Sequence, residues 1–358
     1  MSKFHTLAVA DIRRETEDCV SIAFEVPTDL AQAYQYVQGQ YLTLRTEIDG
    51  AEIRRSYSIC SSPLDAELRV AVKQVYEGIF STYANKTLKV GDTLEVMTPE
   101  GRFFTPIYPE NAKNYVAFAV GSGITPILSI LKTVLQSEPN STFTLFYGNK
   151  NRSSIIFKEK LEALKNKYMG RLSLYHILSR EQDNAPIFNG RLNAEKCAKF
   201  SPKLIDLSQI DECFLCGPEE MIFDIQAYLV ENGLDKKKVH FELFTSNTQK
   251  AQAVYAEKHK EDAGKQSQVS IVLDGTTFDL KMPYLGLSVL DAALNVGADL
   301  PFACKGGVCC TCRAKVIEGE VNMTVNYSLE PAEVAAGFIL TCQAHPKTER
   351  LVVDFDIK

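Results

Sequence analysis

Four cysteines carry the most specific chemistry in this chain. Cys304, Cys309 and Cys312 stand in C-x4-C-x2-C spacing within Cys304-Lys-Gly-Gly-Val-Cys309-Cys310-Thr-Cys312, and Cys342, in Leu-Thr-Cys-Gln, supplies a fourth thiolate far downstream. Four thiolates at this spacing suit a [2Fe–2S] cluster. Gly306 and Gly307 agree, because a loop wrapping a cluster must turn tightly and aim backbone N–H groups at sulfur. A structural zinc draws more often on two separated pairs of ligands. A disulfide-exchange pair would sit at a helix start in a small α/β unit. Cys310 reads as a bystander, since it could act as a ligand only by shifting the loop. The five histidines, His5, His176, His240, His259 and His345, form no metal or triad spacing.

The flanking sequence says what must hold these cysteines. Residues 269–273 and 276–282 read as two strands around Asp274-Gly275, a hairpin signal. A short amphipathic helix follows from Ser288 and stops at Gly297, and residues 351–355 form a last strand. Upstream, residues 246–268 are polar, with little apolar content beyond Val254 and Tyr255, and predict a flexible tether.

Residues 106–245 alternate strands with helices, which predicts a parallel α/β sheet. The first strand, 115–120, is nearly all apolar and runs into Gly121-Ser-Gly123-Ile-Thr125-Pro126, where Thr125 suits a helix cap and Pro126 its first turn. A glycine-rich turn between strand and helix is where a dinucleotide pyrophosphate binds, though a tight structural turn explains a lone Gly-x-Gly about as often. Further strands at 143–147, 172–179, 213–216 and 239–244 end in Gly148-Asn149, Ser179-Arg180, Cys216-Gly217-Pro218 and Phe244. Ligands of open α/β sheets bind at such carboxyl ends. Lys150 and Arg152 add positive charge nearby.

Residues 1–105 hold short alternating runs separated by turn signals, which predicts an antiparallel β-barrel or sandwich. Arg55 and Tyr57 share one face of the strand Arg54-Arg55-Ser56-Tyr57-Ser58; a guanidinium suits a pyrophosphate and a phenol ring packs on a flat heterocycle. Gly78 precedes a short helix whose free N–H groups suit a phosphate.

The bulk properties exclude other classes. A net charge of −6 gives no basic face for nucleic acid. Hydrophobic residues at 45% and charged ones at 23% are those of a soluble globular protein. Residues 115–131 are long and apolar enough to raise a membrane span, but their glycines and proline favour strand plus helix. Ten cysteines without a signal peptide predict the cytoplasm.

Taken together, Arg-x-Tyr-Ser with Gly-x-x-Ser, then Gly-x-Gly-x-Thr-Pro, Ser-Arg-Glu-Gln and Cys-Gly-Pro resemble the ferredoxin-NADP reductase family, and the C-terminal stretch resembles a plant-type ferredoxin. The resemblance implies a multidomain chain: a FAD-binding β-barrel (1–105), an NADP(H)-binding α/β domain (106–245), a linker (246–268) and an α+β, β-grasp [2Fe–2S] domain (269–358). It implies flavin contacts from Tyr57 and Ser58, and flavin pyrophosphate contacts from Arg55, Gly78 and Ser81. For the nucleotide it implies Gly121, Gly123, Thr125, Pro126, Ser179, Arg180, Gly217 and Pro218, with NADPH favoured over NADH, and at the flavin it implies Cys216, Glu242 and Phe244. The familiar Pro-Gly-Gln turn is here Gln38-Gly39-Gln40. The domain order resembles the reductase components of bacterial oxygenases. Arg-Arg-x-Tyr-Ser-Ile-Cys, Ala-Cys-Lys-Gly-Gly-Val-Cys, Asn326-Tyr-Ser-Leu-Glu-Pro331 and Val-Val-Asp-Phe-Asp extend the resemblance to the reductase family serving phenylacetyl-CoA epoxidases. That implies electron delivery from NADPH, through FAD and the cluster, to the subunits of a di-iron epoxidase complex. A reductase for another ring-hydroxylating oxygenase is the alternative within the class; a redox sensor or scaffold, and a zinc-bound binding module, lie outside it.

Overall fold

The computed structural model describes residues 3–182, 185–201, 203–244 and 248–357. Within them the N-terminal alternating runs form β1 (Phe4–Thr16), β2 (Cys19–Glu25), β3 (Tyr41–Ile48), β4 (Ala51–Ser58), β5 (Leu68–Lys73) and, after helix α1 (Ile79–Lys86), β6 (Thr93–Met97). The strand order is β4-β3-β6-β1-β2-β5 with antiparallel pairings. An Ile59–Val70 bridge draws the two edges together into a barrel. Alternate residues such as Leu7 and Val9, Val20 and Ile22, Leu42 and Leu44, and Val70 and Val72 fill its interior. The turn lacking the usual proline is held differently: the buried Gln38 donates from Nε2 to the Thr105 carbonyl at 2.8 Å.

The chain continues through β7 (Asn114–Val120), α2 (Ile124–Ser137), β8 (Thr142–Asn149), α3 (Lys158–Lys167), β9 (Leu172–Leu178), α4 (Ala194–Phe200), β10 (Glu212–Cys216), α5 (Glu219–Glu231) and β11 (Val239–Glu242). All pairings are parallel in the order β11-β10-β7-β8-β9. The sheet starts in the middle, winds outward through β8 and β9, then resumes on the other side with β10. The crevice of such a sheet opens where the winding reverses, outside the carboxyl ends of β7 and β10. Helix α2 is buried from Ile124 to Leu135 because it packs on the sheet with one side and on the barrel with the other. Ser129 Oγ donates to the Ser61 carbonyl at 2.6 Å, Ser62 and Thr133 hydroxyls lie 2.9 Å apart, and Lys132 pairs with Asp65. Cys60, Ala71 and Phe103 of the barrel share a core with Ile127 and Leu131 of α2. Lys3–Phe244 accordingly forms one compact unit, and the boundary expected at residue 105 falls inside it.

A second unit follows, described over 248–357. It holds α6 (Thr248–Lys258), β12 (Gln266–Leu273), β13 (Thr276–Pro283), α7 (Val289–Asn295), β14 (Arg313–Glu318), β15 (Val321–Met323), α8 (Pro331–Ala335), β16 (Phe338–Leu340), β17 (Ala344–Pro346) and β18 (Arg350–Asp354). The order β13-β12-β18-β14-β16, with β12 parallel to β18 and antiparallel elsewhere, is the β-grasp arrangement, and α7 supplies Val289, Leu290 and Ala293 to its core. The expected hairpin turns at Asp274-Gly275, both at positive φ. One expectation is corrected. Instead of a flexible tether throughout, 248–258 is helix α6, and its Tyr255 stacks on His345 with ring centroids 4.8 Å apart. Residues 246 and 247 lie outside the described residues. Among the described residues no helix is long and apolar enough to cross a membrane; the apolar stretch from 115 is β7 followed by α2.

Candidate functional site

At the reversal point Gly121–Gly123 makes one 3-10 turn into α2. A Cβ on Gly123 would stand 2.1 Å from the carbonyl oxygen of Cys216, so only glycine lets the ends of β7 and β10 approach this closely. Thr125 does not cap α2. The helix starts one residue before it, at Ile124, and Thr125 Oγ1 donates back to the Ser122 carbonyl at 3.0 Å, tightening the turn. Pro126 occupies the first helical turn as expected.

Outside these strand ends lies a cleft of about 470 Å³. Gly121, Ser179, Arg180 and Pro218 line it, so four of the expected nucleotide residues come together. Lys150 joins them, with Arg191 and Lys73, which no sequence motif singles out; Glu220 and Asp224 of α5 also line the cleft. The cations suit the phosphates of a dinucleotide. Arg152 does not line the cleft: its guanidinium pairs with Glu181 at 3.0 Å. Asn149 is a further residue that the motifs miss. It ends β8 in the cleft wall, only 7% exposed, and its Nδ2 meets no well-aligned acceptor among the described residues. Its place after Gly148 at a strand end was the available signal.

The barrel residues meet the sheet at a corner. Ser58, the last residue of β4, donates from Oγ to Glu242 Oε2 at 2.9 Å, and Glu242 is the register partner of Cys216. Burial raises the Glu242 carboxyl to about 7, against the lowering effect of the Ser58 hydrogen bond. Cys216 is fully buried, like Cys213, and burial with the Glu242 charge pushes its thiol well above the usual range. Phe244 lies two residues beyond the end of β11 and is 37% exposed. Tyr57 packs on Phe80 of α1 with centroids 5.4 Å apart, which couples β4 to the helix start. There Ser81 Oγ donates to the Gly78 carbonyl and accepts from the Val75 amide, both at 3.2 Å. Arg55 is exposed and donates to the neighbouring Arg54 carbonyl at 2.7 Å.

In the second unit the four expected cysteines converge. Cys309 and Cys304 sulfurs lie 3.1 Å apart, and Cys342 hydrogen-bonds both Cys304 and Cys312. Cys309, Cys312 and Cys342 are buried and Cys304 is partly exposed. The loop donates the amides of Gly306, at 3.2 Å, and Val308 to Cys304 Sγ. The Cys309 and Cys342 thiols, with these amides, hold the Cys304 thiol well below its usual range. Cys310 turns elsewhere, donating to the Ser328 carbonyl at 3.3 Å. Among the described residues no three His, Cys, Asp or Glu side chains gather as a single-ion site. A two-iron cluster does not require that, because sulfide completes each iron's shell beside two thiolates. Four soft thiolates, mostly buried and supplied with amide donors, fit a [2Fe–2S] cluster.

Comparison with known proteins finds three family matches along the chain. Residues 6–105 match the oxidoreductase FAD-binding domain, 118–227 the oxidoreductase NAD-binding domain and 271–347 the 2Fe-2S iron-sulfur cluster binding domain. One of the subunits of the 1,2-phenylacetyl-CoA epoxidase of Escherichia coli (strain K12) is 46% identical over 358 residues, covering 100% of this chain and 99% of that one. The ferredoxin reductase component of 3-ketosteroid-9-alpha-monooxygenase from Rhodococcus rhodochrous is 35% identical, covering 98% and 96%. The solved phthalate dioxygenase reductase shares the fold, with a TM-score of 0.60 at 22% identity and 98% of each chain covered. The chain belongs to the ferredoxin-NADP reductase type of flavoprotein with a C-terminal [2Fe–2S] domain, the NAD(P)H-dependent reductase components that pass electrons through FAD and an iron–sulfur cluster to an oxygenase.

Proposed function

We propose that this chain is the reductase of a phenylacetyl-CoA epoxidase, drawing electrons from NADPH and delivering them to a di-iron oxygenase in the cytoplasm. The observation that carries the reading is 46% identity over the full length of both chains with a subunit of that enzyme. Ten cysteines, none of them joined in a disulfide among the described residues, accord with a reducing compartment. When bound, FAD accepts a hydride and releases electrons singly, and the cluster carries them one at a time.

The residues do the holding and aligning. Arg180 and Ser179, with Lys150 and Arg191 beside them in the cleft, favour the extra phosphate of NADPH. The Gly121–Pro126 turn and Gly217-Pro218 take the rest of the nucleotide. Arg55 and the α1 start, with Gly78 and Ser81, hold the flavin pyrophosphate, and Tyr57 and Ser58 face its ring. Cys216, Glu242 and Phe244 shape the corner where nicotinamide and flavin must meet. Glu242, with its carboxyl raised to about 7, can hold a proton there near neutral pH. Cys304, Cys309, Cys312 and Cys342 hold the cluster.

The test is reconstitution of holoprotein with the oxygenase subunits of a phenylacetyl-CoA epoxidase. NADPH oxidation matched by epoxidation of the CoA ester is the expected result, with NADH slower. Turnover with a 3-ketosteroid or phthalate oxygenase but not the epoxidase would overturn the partner, and faster turnover with NADH would overturn the nucleotide.

A further inference from the structure

We propose that Lys196 is a positioning residue for the nucleotide cleft: its ammonium fastens residues 187–189 so that Arg191 is held against a phosphate of the bound nucleotide. The inference rests on the reading of the cleft as a pyridine-nucleotide site. After the Pro186–Phe188 turn, Asn189 bridges to Leu178 at the end of β9, and the Gly190 amide donates to the Leu178 carbonyl at 2.8 Å. Gly190, at φ 107°, then swings the chain outward. Leu192 dives back into the core, leaving the exposed Arg191 between them in the cleft wall. This segment therefore runs beside Ser179-Arg180, the other cationic edge of the same cleft.

Lys196 sits in the first turn of α4 and is only 9% exposed. Its Nζ donates to the carbonyls of Ile187 at 3.0 Å and Asn189 at 2.6 Å. Helix α4 does not need a cation here. Asn193 caps it by accepting from the Lys196 amide at 2.9 Å, and Cys197 and Phe200 anchor it in the core. A buried ammonium costs desolvation, which also draws its pKa below the usual lysine value. What the cation gains is two carbonyls, both on the segment that ends in Arg191.

The experiment is a double-mutant cycle on the full-length holoprotein, reading Kd for NADP+ and for NAD+ by flavin absorbance, with melting temperature and FAD content as folding controls. Lys196→Met keeps the stem and removes the donors; Lys196→Gln keeps a donor with shorter reach and carries the same cycle should the first variant not fold. Lys196→Met should raise the Kd for NADP+ about tenfold, Arg191→Ala at least as much, and the double variant no more than Arg191→Ala alone. Lys199→Ala, on the same helix but ion-paired in solvent with Glu195, should leave Kd unchanged. An unchanged Kd in Lys196→Met, or effects that simply multiply, would overturn the proposal. Equal wild-type affinity for NAD+ and NADP+ would overturn the NADPH reading alone, because non-additivity reports on Lys196 with either nucleotide.

Discussion

Glu242 and Asn149 are two polar side chains that the fold holds at a cost. For Glu242 the cost depends on pH. Its folded carboxyl titrates near 7 and its unfolded carboxyl near 4.5, so between those values the folded chain keeps a proton the unfolded chain has lost. The stability this proton confers is complete below about 4.5 and is lost as pH rises through about 7. Glu242→Gln stays neutral and can still accept from Ser58, so its melting temperature relative to wild type should climb by a few degrees between pH 5 and 8. A pH-independent gap in thermal scans would show that the carboxyl titrates normally. Asn149 carries a buried amide donor with no well-aligned acceptor among the described residues, a cost of up to roughly 1–3 kcal/mol that a ligand acceptor would relieve. Asn149→Leu should therefore leave the nucleotide-free protein at least as stable while weakening nucleotide binding about tenfold. Loss of both stability and binding would show that the amide serves the fold instead. The glycines, Arg180 and the cluster cysteines were legible because short motifs carry them. Arg191 and Lys196 were not, because their place beside Arg180 depends on a bridge to Leu178 that no local pattern encodes.

Among the elements, strands with strict alternation or unbroken apolar runs are legible, since burial on one or both faces writes itself into the sequence. Helix α6 reads as a tether because Val254 and Tyr255 are nearly its only large apolar residues, and Val254 is 62% exposed. Its packing comes from a residue far along the chain: Tyr255 lies against His345, which is buried at 3% exposure and meets the Thr324 hydroxyl at 3.2 Å through Nε2. Burial lowers the His345 pKa from 6.5, and the nearby His259 adds to the effect. With the folded value depressed, the docked helix holds a neutral imidazole. Its stability is full above about 6.5 and falls as pH drops below that value. Hydrogen exchange of the amides of α6 should accordingly speed up between pH 8 and 5.5 beyond the intrinsic chemical trend. Tyr255→Ala should remove the protection at both values. Equal protection in wild type and variant would mean that other contacts hold α6.

At the scale of the whole molecule, the distribution of the cores decides which functions can be separated. The barrel and the parallel sheet share one core through α2, so a lesion in either disturbs the corner where Ser58 meets Glu242. The second unit has a core of its own, built from residues such as Val269, Leu290, Leu340 and Val353, into which Cys312 and Cys342 are packed. Cys342→Ser should therefore abolish the iron–sulfur absorbance and any reduction that needs single electrons from the cluster. Bleaching of the flavin by NADPH, and hydride-driven ferricyanide reduction, should remain within about twofold of wild type, since Cys342 packs in the core of the second unit and not in that of the first. A serine is close in size to cysteine but is a poor ligand for iron, so the substitution tests ligation with little change in packing. If flavin reduction fell together with the cluster, the first unit would depend on the loaded second unit for its fold. Intact iron–sulfur absorbance would instead mean that another sulfur, Cys310 being the nearest in sequence to the ligand loop, had taken the place of Cys342.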